Sequence, residues 1–347
     1  MKVVVVGGTG NIGSAVVREL GDRHDVVAVS RRRPVPDADI NRLAEVKTLN
    51  VAVDQIDDVV RDADVVVVLA WLFQPSHHPD VTWRNNVLGT ARVLRAVGAA
   101  RVGAVVVASS IAAYSPAIDD HPVEEDYDSH GASSAAYCRE KAYVERLLDS
   151  FEADQPGVRV CRLRPAFVFR RSSASQQRRL FGGPLVPGRL VRPSLVPALP
   201  VPKGLRLQAV HSHDVAAAAS TCVESEAEGA FNLAADDVLG AKELAGLFDA
   251  HSVSAPPGAV RAALAAAWHA RLAPAPPSLF DALMRLPVMS TARARDELGW
   301  SPQSSAQSAL QEFLVGLREG AGDVTPPLEP DRGVIDRIRQ MADGVGE

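Results

Sequence analysis

The chain is short of cysteine, of aromatic residues and of long apolar runs. Cys138, Cys161 and Cys222 are its only cysteines in 347 residues. They are odd in number and far apart, so no disulfide framework or zinc pattern can be read, and a reducing compartment suits them. Aromatic residues make up 5%. No apolar run approaches the roughly 20 residues that cross a bilayer. No basic leader followed by an apolar stretch opens the chain. A cytoplasmic protein without a membrane partner is expected. Neither sign of charge dominates, with 37 basic and 42 acidic side chains for a net charge of -5. That balance gives no reason to expect nucleic acid as a partner. Hydrophobic residues, at 47%, suffice for a large core. No internal repeat is found.

What is present begins with "VVVVGGTGNIG", residues 3 to 13. Four contiguous β-branched residues read as a buried parallel strand. "SAVVREL" comes next, with helical spacing. Strand, glycine turn and helix form the setting in which a backbone loop binds a dinucleotide's phosphates. Gly7 suits the tight turn, Gly10 the close approach of a pyrophosphate, and Gly13 close packing of helix on strand. The amides near Asn11 and Ile12 then face the anion at a helix N-terminus. The spacing is G-x-x-G-x-x-G. At the end of the next strand, "DVVAVS", an NAD-specific site holds an acid. Ser30, Arg31, Arg32 and Arg33 stand there instead. An arginine welcomes a 2′-phosphate, so NADP is favoured over NAD.

The pattern continues. "AEVKTLNV", "ADVVVVLA", "VGAVVVASS" and "GVRVCRLRP" read as strands. "DVTWRNNVLGTARVLRAVGAA" and "AAYCREKAYVERLLDSF" read as helices, the latter with Ala136, Tyr143, Leu147 and Leu148 among its apolar positions. Alternation of this kind predicts an α/β fold with a doubly wound parallel sheet, and ligands beyond the strands' carboxyl ends. Tyr137 and Lys141 share a helix face. A free tyrosine has a pKa of about 10, and a nearby ammonium lowers it. Ser110, in "ASSIAAYSP", is placed to bond a substrate oxygen beside that tyrosine.

In these stretches the sequence resembles the extended short-chain dehydrogenase/reductases, the group of NAD-dependent epimerases and dehydratases. "GGTGNIG" resembles their nucleotide loop, "YCREK" their Tyr-x-x-x-Lys, and "SSIAAYS" their catalytic serine stretch. "NNVLGTARVL" points to Asn86 and "LRPAFVF" to Pro165 beside the nicotinamide. "LQAVHSHDVAAA", "FNLA" and "ELGWSP" resemble later landmarks, so the likeness covers nearly the whole chain. It implies an NAD(P)-binding Rossmann fold with a smaller C-terminal substrate domain. It further implies Tyr137 as acid/base, Lys141 lowering its pKa and holding the nicotinamide ribose, and Ser110 orienting the reacting oxygen. Asn50 with Val51, and Leu69 with Ala70, are expected to line the cofactor site. Asn50 stands where the family usually has aspartate. A homodimer through helices near 81–98 and 136–151 is implied too. Departures bear on the substrate. Ile111 and Ala112 replace the dehydratases' acidic pair, and Phe167 and Arg170 replace an asparagine and a glycine usual in nucleotide-sugar epimerases.

From Gln155 to His213 there is no acid. Eleven basic residues lie in that stretch: Arg159, Arg162, Arg164, Arg170, Arg171, Arg178, Arg179, Arg189, Arg192, Lys203 and Arg206. An anionic small-molecule substrate is one reading and a solvated lid the other. His211 and His213 in "HSHD" have no third ligand, and Asp214 reads as a helix N-cap, so no metal is expected. His77 and His78 lie in a loop expected to border the nicotinamide pocket. "AVRAALAAAWHARLA" reads as a helix between proline breaks. The expected division is 1–168 for cofactor binding with 205–235 returning to it, 169–204 and 236–325 for substrate, and 326–347 as a tail carrying a short helix. The function expected is hydride transfer at an alcohol or ketone carbon. Epimerisation of a nucleotide-sugar and dinucleotide-binding regulation without catalysis are the alternatives.

Overall fold

The computed structural model describes residues 1–183, 197–331 and 345. Its strands are β1 (Lys2–Val6), β2 (Asp25–Ser30), β3 (Glu45–Thr48), β4 (Val65–Val68), β5 (Ala104–Ala108), β6 (Arg159–Pro165), β7 (Phe167–Phe169), β8 (Ala198–Pro202), β9 (Leu207–His211), β10 (Gly229–Leu233), β11 (Val238–Leu239) and β12 (His251–Ala255). The helices of the first half are α1 (Asn11–Leu20), α2 (Ile40–Leu43), α3 (Asp57–Val60), α4 (Pro79–Trp83), α5 (Gly89–Ala100), α6 (Ala136–Asp154) and α7 (Ala174–Gln177). Those of the second half are α8 (Ser212–Glu224), α9 (Ala241–Gly246), α10 (Pro257–His269), α11 (Pro277–Leu283), α12 (Ala292–Leu298) and α13 (Ala306–Glu319).

Seven strands form one parallel sheet in the order β10-β6-β5-β4-β1-β2-β3. The chain reverses direction across the sheet between β1 and β4, whose registers pair Val3 with Val65 and Val6 with Val68. This is a Rossmann-like, doubly wound topology, and its crevice opens beyond the carboxyl ends of those two strands. Both faces are covered. Val3 and Val5 pack with α1 and α8 on one side, while Val4 and Val6 pack with α5 and α6 on the other. That explains the unbroken valines, since a strand covered twice has no polar face.

The helical stretch around residue 86 is not uniform. A single π-helical turn, Arg84–Leu88, joins α4 to α5. Such a turn adds a residue to one helical cycle and re-aims the helix beyond it, a feature frequent near functional sites. After β6 the chain builds a three-stranded sheet, β11-β9-β7, and a two-stranded pair, β12-β8. Between them α8 packs on α1, and β10 returns to the edge of the main sheet beside β6. Beyond these elements the chain adds α10, α11 and α13. Arg189, Arg192 and the expected terminal helix lie outside the described residues.

One local expectation changes. Asp214 does not cap α8; His211 does, its ring Nδ1 accepting the N–H of His213. Asp214 is buried inside the first turn, where its carboxylate accepts the N–H groups of Gln303 and Ser304. Its carbonyl accepts Trp300 Nε1–H at 2.8 Å. It therefore ties "ELGWSP" to α8. No helix among the described residues is long and apolar enough to cross a membrane.

Candidate active site

A cavity of about 1040 Å³ opens at the crevice between β1 and β4. Gly7, Gly10, Asn11, Ile12 and Gly13 line one end, together with Arg31, Arg32, Asn50, Val51, Leu69 and Ala70. Asn86, Ser110, Tyr137, Lys141 and Pro165 line it further along. Residues from Gly7 to Pro165, far apart in sequence, thus share one wall.

The glycine loop is shaped by its own backbone and by something beyond it. Gly7 has φ of +90°, and a Cβ there would lie 2.6 Å from the Ala70 nitrogen. A Cβ on Gly13 would lie 2.0 Å from the Gly7 carbonyl oxygen. Neither site accepts a side chain. Gly10 differs, because its nearest neighbour to such a Cβ is the Gly7 oxygen at 3.4 Å. The chain itself tolerates a side chain there, so the open space at Gly10 serves an approach from outside. No side chain caps α1, so its first amides and positive dipole end face the cavity. Asn11 Nδ2 donates to the Val168 carbonyl, while its Oδ1 is buried without a partner. Ser30 Oγ donates to the Arg32 carbonyl at 2.8 Å and fixes the turn after β2. Arg31 is exposed at the rim, and Arg32 is the charged neighbour acting on it among the described residues. An uncapped helix start, an unneeded glycine and an unpaired cation fit a dinucleotide phosphate group.

At the other end Tyr137 stands on the first turn of α6, and Ser110 lines the same part of the cavity, its Oγ accepting the Ala112 N–H at 3.1 Å. Burial pushes the phenol above its ordinary range, and the nearby Ser110 hydroxyl pulls it partly back. Lys141 is 3% exposed. Its ammonium donates to the Ala108 carbonyl at 2.8 Å and lies 3.5 Å over the Trp71 ring. Burial pushes it down to about 7, against the pull of Glu145 and Glu140. The expected action of Lys141 on the Tyr137 phenol is therefore not made in this arrangement. Desolvation penalises both charged forms, and the ammonium is engaged elsewhere.

Asn86 reaches the cavity but its amide is engaged by the chain. Oδ1 accepts the Leu72 N–H at 2.7 Å, and Nδ2 donates to the Leu72 carbonyl and to Glu140. Asn86 holds the loop after β4 in place. That loop carries site residues not anticipated from the sequence. Phe73 stacks on Tyr137 at 5.2 Å between ring centroids, Trp71 meets it edge-on at 5.8 Å, and Phe181 meets Phe73 at 5.3 Å. Isolated aromatics in a loop carry no periodicity that would mark them. His77 does not line the cavity; it stacks on Trp268 of α10 at 4.0 Å.

The acid-free stretch is neutralised from elsewhere. Arg164 pairs with Glu145, Arg162 with Glu145 and Asp149, Arg171 with Glu319, Arg178 with Asp331 and Arg206 with Asp120. Arg170 is buried and donates to Ser14 Oγ at 2.7 Å. Much of the charge missing locally in sequence is thus supplied in space among the described residues.

Known proteins share this architecture. Residues 3–185 match the family described as the NAD dependent epimerase/dehydratase family. Uncharacterized proteins of Mycobacterium bovis and Mycobacterium tuberculosis are 24% identical over 330 residues, 93% of this chain and 31% of theirs. The chain thus spans about a third of these curated relatives. MoeE5 in complex with UDP-glucose and NAD superposes with a TM-score of 0.67 at 22% identity, over 92% of this chain and 99% of its own. UDP-glucose-4-epimerase from Stenotrophomonas maltophila, with bound NAD and formylated UDP-arabinopyranose, gives 0.69 at 21%, over 92% and 98%. UDP-glucose 4-epimerase from Thermotoga maritima, with UDP-glucose, gives 0.69 at 18%, over 92% and 99%. At these identities the likeness is one of fold.

Proposed function

The chain belongs to the NAD dependent epimerase/dehydratase family, and from that premise we propose an NAD(P)-dependent oxidoreductase acting on a secondary alcohol or ketone. The observation that carries this reading is the placement of Ser110, Tyr137 and Lys141 along the cavity that starts at the glycine loop. Gly7, Gly10, Asn11, Ile12 and Gly13 would hold the pyrophosphate, Arg31 and Arg32 a 2′-phosphate, Asn50, Val51, Leu69 and Ala70 the adenosine half, and Lys141 and Pro165 the nicotinamide half. A bound nicotinamide dinucleotide supplies or accepts the hydride. Ser110 donates to the reacting oxygen and fixes its position. Tyr137, kept protonated by burial, gives that oxygen its proton in reduction and is left as the phenolate, and only that phenolate would take the proton back in oxidation. Phe73 and Trp71 keep bulk water from the phenol.

Arg31 without an acidic partner supports NADP over NAD, although several structural neighbours contain NAD. Those neighbours also favour a second reading, epimerisation of a nucleotide-sugar, in which the dinucleotide stays bound through purification. Free, buried thiols at Cys138, Cys161 and Cys222 support a cytoplasmic setting. The exposed apolar residues Leu88 and Tyr143, on adjoining helices, support a homodimer.

Titration calorimetry with NADPH and NADH, on the wild type and on Arg31→Ala and Tyr137→Phe, tests the reading. The expected result is tighter NADPH binding by about tenfold, lost in Arg31→Ala. Tyr137→Phe keeps dinucleotide binding and loses turnover by at least about a hundredfold. Binding of neither dinucleotide, or full activity in Tyr137→Phe, removes the proposal.

A further inference from the structure

We infer that the substrate is a ketone or secondary alcohol on an apolar, ring-bearing frame, with no nucleotide diphosphate attached. This rests on Ser110 and Tyr137 being the reacting pair. The wall facing them is built by the second half of the chain. Leu279, Phe280 and Leu283 of α11 and Leu264 of α10 line the cavity. Opposite, Phe73 lies at 22° to the Tyr137 ring, so the phenol is flanked by a flat aromatic surface. Leu286 packs with Tyr137, Cys138 and Ala282 behind that surface. Flat apolar rings fill such a slot, and offset ring contacts add to plain burial.

Four polar side chains bordering the same space, Gln74, Gln177, Arg178 and Arg179, are engaged by the protein. Gln74 Nε2 donates to the carbonyls of Arg179 and Leu180 at 3.2 and 2.8 Å. Gln177 Nε2 donates to the Val168 carbonyl at 2.9 Å. Arg178 is ion-paired to Asp331 at 3.1 Å and donates to the Gly183 carbonyl at 3.0 Å. Arg179 donates to the carbonyls of Glu329 and Pro327 at 2.9 and 3.1 Å. Glu329 itself lines the cavity. A diphosphate brought here must break an ion pair or be desolvated without a partner, and either is costly. An apolar frame needs neither. Every hydrogen bond it does require, at the reacting oxygen, is offered by Ser110 and Tyr137.

The test titrates the protein, saturated with NADPH, with 2-acetylnaphthalene and separately with UDP-glucose. The expected result is a dissociation constant at least about tenfold lower for the aryl ketone. Leu283→Asp, which puts a charge into the apolar wall, weakens the ketone about tenfold or more and leaves the NADPH constant unchanged. Leu279→Asn, a milder change in the same wall, does the same to a smaller degree and guards against a folding defect in the first variant. Tighter binding of UDP-glucose overturns the inference. So does binding of neither compound to NADPH-saturated protein, or an unchanged ketone constant in both variants. Failure to bind NADPH at all strikes instead at the oxidoreductase reading on which the inference rests.

Discussion

Tyr137 and Lys141 show what burial does to two titratable side chains one helical turn apart. The lysine ammonium has one carbonyl and one aromatic face for partners, which is less than water gives it. An unfolded lysine keeps its proton to about 10.5, whereas the folded one releases it near 7. Between those values the unfolded chain binds the extra proton, so the lysine makes stability rise with pH. Lys141→Met is expected to flatten that rise, by up to about 1.4 kcal/mol for each pH unit crossed, and to be the more stable protein near neutral pH. Urea unfolding of both proteins from pH 6 to 10, roughly the range over which the protonation difference operates, measures it. Parallel stability curves would mean the ammonium is solvated. Hydroxyl acceptors brought to Lys141 by a bound group would draw its pKa back up.

Helix α6 carries Tyr137 at one end, and the middle of the same helix is fastened to the sheet by charge. Glu145 is 1% exposed and accepts Arg164 through two bonds, of 2.9 and 3.0 Å, and Arg162 at 3.2 Å. Burial works against the carboxylate, but the Arg164 bonds and charge carry it below the ordinary range. Arg164 also donates to Tyr114 Oη, whose own hydroxyl donates to Asn232 on β10. The clamp therefore spans α6, β6, β10 and the turn after Ser110. Arg164→Leu leaves Glu145 buried with too little compensation, and a loss of about 3–5 kcal/mol is expected. Glu145→Leu combined with Arg164→Leu should cost less than the single change. Chemical denaturation of the two variants checks this, and an equal or larger loss in the double variant would show that packing matters more than charge. None of the clamp was legible in the sequence. Glu145 is an ordinary polar residue of an amphipathic helix there, and Arg164 one of many arginines. What was legible were residues read from spacing together with context, the glycines between a strand and a helix and Tyr137 four before Lys141 downstream of the serine stretch, and these line one cavity.

Over the whole molecule the same division holds. The parallel sheet was readable because β1, β4 and β5 are mostly valine and each is followed by a helical period. The cavity's far wall was not, since α10 and α11 are alanine- and proline-rich and their apolar stripes name no partner. Nor was the segment after α13, where Asp323 accepts Arg18 at 2.9 Å and Arg32 and Arg179 grip carbonyls of residues 326–329. That segment lines the cavity between Arg32 and Arg179 without any periodicity to announce it. The outer surface retains one more pattern. Tyr143 was expected among the apolar positions of α6, yet it is 38% exposed, and Leu88, on the π-helical turn, is 46% exposed. Trp83 and Tyr143 touch at 4.8 Å between ring centroids, so the two helices adjoin. In a two-fold dimer each patch meets its own copy, and a single substitution is felt twice. Light scattering is expected to give twice the chain mass for the wild type. Leu88→Glu, which sets like charges close to the two-fold axis, should give the monomer with the dinucleotide affinity little changed, because Leu88 does not itself line the cavity. A monomeric wild type would leave those exposed side chains as ordinary surface.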